Sequence, residues 1–272
     1  MKILVTGHEG FIGRNMLAWL AHEEGWYVDG YDYDPAHFPD VSSYDWVVHL
    51  GAIADMTNHD VDRILKQNLE FSQRLFTECN EHGVNLQYAS SSSVYGNTKD
   101  FSEFAPCHPQ TPYAWSKYLF DRWVFQQPIH IKLQGFRYFN VYGKYMHLRG
   151  NRANVIEKWR TQARNEGKIT VWEGAENIKR DWTWVGDVCR LHIDFIKTVN
   201  GSGVWNVGSG LAHSFLDIAE EIAEIEGATL ELTPIPLEEQ QRMRTKTCAD
   251  LTHLKETIGK RKWLNVFEYL NQ

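Results

Sequence analysis

The stretch KILVTGHEGFIG, Lys2 to Gly13, decides the fold. Ile3–Val5 is a short apolar run of the kind a parallel strand shows when both its faces are covered. Glycines follow at positions 7, 10 and 13, and Met16, Leu17 and Leu20 then recur at helical spacing. A glycine loop between a strand and a helix lets backbone N–H groups and the positive helix end approach an anion with no side chain in the way. Its placement separates it from a chance glycine turn, and it makes Gly7, Gly10, Phe11, Ile12 and Gly13 candidates to hold a dinucleotide pyrophosphate.

Outward from this loop, a second strand is expected at Tyr27–Tyr31, and its tip carries Asp32, nineteen positions past Gly13. A carboxylate there suits the hydroxyls of an adenosine ribose and repels a 2′-phosphate, so NAD is favoured over NADP. Further strands are expected at Trp46–Leu50, Leu86–Ser90, Leu133–Tyr138 and Val204–Val207. The helical period from His59 to His82 is stopped by Gly83. Strand alternating with helix predicts an α/β fold, a Rossmann-like doubly wound parallel sheet. After Gly143 the alternation gives way to helical and irregular segments, resumes at Val204, and breaks again. The expected division is residues 1–143 plus about 186–208 as the dinucleotide-binding domain. About 144–185 plus 209–272 form a smaller, discontinuous substrate lobe.

Composition excludes other classes. With 272 residues, 43% of them hydrophobic, the chain is long enough for a sizeable core. Its 35 acidic against 28 basic residues, a net charge of −7, speak against a nucleic-acid partner. Four cysteines without a C-x-x-C pair, and scattered histidines, give no metal signature and fit a reducing compartment. No signal peptide and no bilayer-spanning apolar run is read, so a cytoplasmic protein with no membrane partner is expected.

The chemistry is carried by TPYAWSKYLFDRW, Thr111 to Trp123. Thr111 caps a helix and Pro112 suits its first position, so Tyr113 and Lys117 stand one turn apart on one face. A phenol that acts as a base near neutrality must be stabilised as phenolate by roughly 4 kcal/mol, and a nearby ammonium and an oxidised nicotinamide ring both favour it. Upstream, YASSSSVYG ends a strand in four serines that can offer a hydroxyl to the same substrate oxygen.

Taken together these segments resemble the extended short-chain dehydrogenases/reductases, the group of NAD-dependent nucleotide-sugar epimerases and dehydratases. The resemblance implies a triad of Ser91, Tyr113 and Lys117, with Lys117 also clamping the nicotinamide ribose. HLGA implies cofactor contacts at Leu50, Gly51 and Ala52, and Asn68 belongs to the same set by bracing the sheet. GFRYFNVYG, WEGAENIKRDWTWVGDV and WNVGSGLAHSF are most similar to the ADP-heptose 6-epimerase branch. They imply substrate contacts at Ser92, Asn140, Arg149, Lys179, Arg180 and Arg242, a nucleotide-diphosphate sugar as substrate, and a homo-oligomer.

Three departures qualify the match. Arg149 stands where the heptose enzymes place a second acid/base lysine, and a guanidinium, with pKa above about 12, is a poor base; His147 or Lys144 are the alternatives. Asp32 and His49 are seventeen positions apart, too close for the usual third strand and helix. Ser92 and Ser93 replace the Asp-Glu pair of the 4,6-dehydratases, which removes the acid and base of a β-elimination. The expected activity is epimerisation, serving surface-polysaccharide synthesis. Net oxidoreduction of a nucleotide sugar and a non-catalytic NAD-binding scaffold are the alternatives.

Overall fold

Ile3, Leu4 and Val5 are all buried, but on alternate sides. Ile3 and Val5 pack with Met16, Leu20, Val48 and Cys189, while Leu4 packs with Val47, Leu75, Leu86 and Phe120. A strand that buries both faces at period two needs helices above and below it. The structure, a computed structural model, describes residues 1–237, 240 and 244–272. Strand β1 (Lys2–Thr6) is an inner strand of a six-stranded sheet with β2 (Tyr27–Tyr31), β3 (Trp46–His49), β4 (Asn85–Ser91), β5 (Leu133–Tyr138) and β9 (Gly203–Val207). The order is β2-β1-β3-β4-β5-β9 and every pairing is parallel.

Helices α1 (Phe11–Leu20) and α6 (Val185–Thr198) cover one face. The other is covered by α4 (Pro112–Val124) and by a long helix made of α2 (Val61–Ile64), a π-helical stretch Leu65–Glu70 and α3 (Phe71–His82). Gly83 ends that helix in the left-handed conformation, as its stop signal implies. Residues 32–45 form no strand, so β2 is the sheet edge, as the short spacing predicts. Tyr31, Tyr33 and Phe38 cover the gap by packing on Phe71, Tyr31 stacked at 6.0 Å.

Beyond Gly143 the structure differs from the helical and irregular reading, because five short strands there, with β6 just before them, lie outside the main sheet. β6 (Asn140–Tyr142), β8 (Lys179–Trp184), β10 (Ala212–Ser214) and β12 (Lys246–Thr247) join around β8, while β7 (Lys168–Trp172) pairs with β11 (Thr229–Thr233). These segments lack continuous apolar runs: in β7 only Ile169 and Val171 are buried, and in β8 the polar Asp181 and Thr183 are buried beside Trp182. With α5 (Val155–Glu166) and α7 (Phe215–Glu226) they enclose a core of their own around Trp159, Val171, Trp182 and Ile222. Ser214 and Asp217 close a reciprocal capping box at the start of α7. Among the described residues no helix is long and apolar enough to cross a membrane.

Candidate active site

The chain leaves β1 for β2 on one side and returns to β3 on the other, so a crevice opens where these strands end. The glycine loop lines it. Gly7 has φ +72°, and a Cβ there would come within 2.5 Å of the Gly51 backbone; one on Gly13 would lie 2.0 Å from the Gly7 carbonyl oxygen. Only glycine lets the loop fold this tightly against the turn after β3. Helix α1 then begins with no side-chain cap and no acidic residue in its first turn. Its free N–H groups and dipole are matched to an anion, and the donor set fits a dinucleotide pyrophosphate.

Asp32 accepts hydrogen bonds on Oδ2 from the Glu9 N–H (3.1 Å) and faces His8 Nδ1 at 3.2 Å. Burial raises its pKa, against the pull of the Glu9 N–H. His8 escaped the sequence reading; its only signal there is Gly30, where any Cβ would run into the His8 ring.

The structure brings Ser91, Tyr113 and Lys117 to one cavity. Thr111 Oγ1 accepts from the Ala114 N–H at 3.2 Å and caps α4. Tyr113 and Ser91 line one cavity of ≈ 450 Å³ with Phe11, Ile12, Leu50, Ala52, Lys117, Asn140 and Arg149. The Ser91 hydroxyl accepts the Ser93 N–H at 3.1 Å and favours ionisation of the neighbouring Tyr113 phenol.

Burial raises the Tyr113 pKa; the Ser91 hydrogen bond and the charge of Arg149 work against that rise. The Lys117 ammonium donates to the Ala89 carbonyl at 2.8 Å. Arg149 also donates from Nη2 to the Ala54 carbonyl at 2.6 Å, which fixes it in the cavity wall. His147 and Lys144 are exposed and lie outside that wall, so neither stands where a second acid/base would be needed.

Asn68 is a brace with no free amide hydrogen for a ligand. Its Nδ2 donates to the Ile53 carbonyl (3.1 Å) and Ser116 Oγ (3.0 Å), while its Oδ1 accepts the Ile53 N–H (2.8 Å). Ser116 Oγ in turn donates to the Tyr113 carbonyl at 2.8 Å, so Asn68 ties the loop after β3 to the start of α4. His49 extends the brace through Thr6 Oγ1 (2.6 Å) and Ser72 Oγ (2.8 Å).

The proposed substrate contacts divide. Asn140 and Arg149 line the cavity, joined by Arg152, Asn154 and Lys158, which the sequence reading missed. Lys179 is exposed and Arg180 is its neighbour on a strand, so the two point to opposite faces. Burial and the charge of Arg244 hold Arg180 down to about 10. Arg244, also missed, reaches the carbonyls of Ser92 and Ser93. Arg242, named from the resemblance, lies outside the described residues.

Residues 3–208 match the NAD-dependent epimerase/dehydratase family. Among similar solved structures is Helicobacter pylori ADP-L-glycero-D-manno-heptose-6-epimerase, with TM-score 0.87 and 22% identity over 99% of this chain and 94% of that one. An NAD-dependent NDP-hexosamine 5,6-dehydratase of tunicamycin biosynthesis matches with TM-score 0.83 and 22% identity over 99% and 95%. Thermus thermophilus UDP-glucose 4-epimerase, solved with NAD, matches with TM-score 0.83 and 25% identity over 99% and 96%.

Proposed function

Because the chain belongs to the NAD-dependent epimerase/dehydratase family, we propose that it binds NAD and epimerises a nucleotide-diphosphate sugar, in the manner of the heptose 6-epimerases. One observation carries this reading: Ser91, Tyr113 and Arg149 share a cavity with Phe11 and Ile12 at the start of α1 and with Leu50 and Ala52 of the loop after β3. Bound NAD would supply a reversible two-electron sink for one carbon of the sugar. The N–H groups that open α1 would hold its pyrophosphate and Asp32 its adenosine ribose, with Gly51 close by.

Tyr113, as phenolate, takes the proton of a sugar hydroxyl while that carbon is oxidised, and gives it back on reduction. Ser91 donates its hydroxyl hydrogen to the same oxygen and stabilises charge there. Arg149 favours the phenolate and, held by Ala54, takes no proton. Lys117 sets the distance between α4 and β4. Inversion with Tyr113 as sole base requires the oxidised carbon to present its other face to the nicotinamide before the hydride returns.

The second structural unit would serve as the substrate lobe, with Asn140 near the sugar and Arg180 and Arg244 near the diphosphate. Bidentate guanidinium groups suit phosphate oxygens. Exposed Val61, Trp115 and Leu119, on α2 and α4, would form the contact face of a homodimer.

Incubation with ADP-heptose and with UDP-sugars, followed by NMR of the anomeric protons, tests the activity. A second epimer without accumulation of reduced nicotinamide supports it. Stoichiometric reduced nicotinamide with no epimer would favour net oxidoreduction, which a missing second base also permits.

A further inference from the structure

The turn that follows β4 is held from two sides. Inside it, the Ser93 N–H donates to Ser91 Oγ at 3.1 Å, and Ser91 lines the same cavity as Tyr113. Outside it, Arg244 of the second unit donates from Nη1 to the Ser92 carbonyl (3.4 Å) and from Nη2 to the Ser93 carbonyl (3.2 Å). Hydrogen bonds therefore run from Arg244, through the peptide groups of the turn, to the Ser91 hydroxyl beside Tyr113. Both outer bonds are long, which leaves room for them to tighten.

The other end of the path is cationic. β12 pairs with β8 so that Lys246 lies opposite Lys179 and Thr247 opposite Arg180. Arg244, two residues before Lys246, is close enough to Arg180 for the two guanidinium groups to repel. An anion between them would cancel the repulsion and orient both forks. A guanidinium has five N–H donors, enough to serve a phosphate and a peptide carbonyl together.

We infer that Arg244 is a positioning residue: a diphosphate arriving between Arg180 and Arg244 tightens the hold on the Ser92 and Ser93 carbonyls and so fixes Ser91 against Tyr113. The inference rests on the nucleotide-sugar reading above. Its requirement is that the anion favours the tightened turn over the loose one, since only a difference in affinity can shift that equilibrium.

Amide hydrogen exchange over Ser91–Gly96 reports the Ser93 N–H bond directly, with adenosine diphosphate and uridine diphosphate as probes and saturation set by calorimetry. In the wild type, exchange slows by about fivefold or more on binding. Arg180→Gln needs more ligand yet slows equally at saturation, Arg244→Lys keeps part of the effect, and Arg244→Gln loses it although ligand is bound. If Arg244→Gln instead speeds exchange by one factor with and without ligand, the residue is a static brace and the inference fails alone. If neither diphosphate binds the wild type, the nucleotide-sugar reading falls with it.

Discussion

Lys117 on α4 donates from Nζ to the Ala89 carbonyl at 2.8 Å, tying that helix to β4 two residues before Ser91. One turn back on the same helix, Tyr113 meets the Ser91 hydroxyl. The lysine's buried charge thus fixes the approach of helix to strand, and the distance between phenol and serine follows from it.

That geometry costs stability. Burial lowers the Lys117 pKa from 10.5 to about 8, with the charge of Asp121 resisting. Between those two values the unfolded chain binds more protons than the folded one, so stability rises with pH across this window. Lys117→Met removes the cost together with the Ala89 bond. Its unfolding free energy relative to wild type, from urea melts, is expected to fall by about 3 kcal/mol as pH rises from below 8 to 10.5. A difference independent of pH would contradict this.

Two buried histidines set the acid limit. Burial lowers His49 and His192 from 6.5 to about 3. His192 is held by Gln87 Oε1 (2.7 Å) and the Tyr138 hydroxyl (2.5 Å), so with Nδ1 donating, Nε2 accepts. A lowered pKa on a base gives stability that is complete above 6.5 and lost as pH falls toward 3. Each histidine is expected to cost about 2 kcal/mol on going from neutrality to roughly pH 5. Denaturant melts of His192→Gln should show the smaller loss over that range; a loss equal to wild type would rule out this origin.

Gly13→Ala places a Cβ 2.0 Å from the Gly7 carbonyl oxygen and 2.7 Å from the His8 Cα, both backbone. The loop must open to admit it. NAD affinity by calorimetry is expected to fall at least about 100-fold, equivalent to roughly 3 kcal/mol of misplaced backbone donors. Unchanged affinity would remove the glycine loop from the cofactor site.

Much of this was legible in sequence, for physical reasons. β1, β3, β4 and β5 are largely buried on both faces, so they read as apolar runs, and the glycine loop is identified by the strand before it and the helix after it. The Thr111–Pro112 start of α4 is purely local and is found as expected. Charges were harder to place. Tyr113 and Lys117 share a helix face by spacing, but the rotamer that takes Lys117 to Ala89 depends on strand β4, which no local pattern encodes. Arg149 and Arg244 act across distant segments; Arg244 stands two residues beyond Arg242 in a basic run that gives both the same appearance. The short strands of the second unit alternate polar and apolar residues and so resemble irregular chain.

Arg149→Met tests the source of the charge that favours the phenolate. Without the guanidinium the Tyr113 pKa rises further, so the acid limb of the rate profile is expected to move to higher pH, with NAD affinity unchanged. Arg149→Lys, which keeps the charge, should restore most of the position of that limb. A profile unmoved in Arg149→Met would transfer the role to another cation.

The most direct measurement follows the absorbance of reduced nicotinamide in a single turnover, with wild type and Tyr113→Phe each holding NAD and mixed with the active nucleotide sugar. The account predicts a transient signal in the wild type that decays as the epimer forms, and in the variant a rate lower by about 10²- to 10⁴-fold with sugar binding retained. Epimer formed at the same rate by Tyr113→Phe, or formed by the wild type with no reduced nicotinamide at any time, would contradict it.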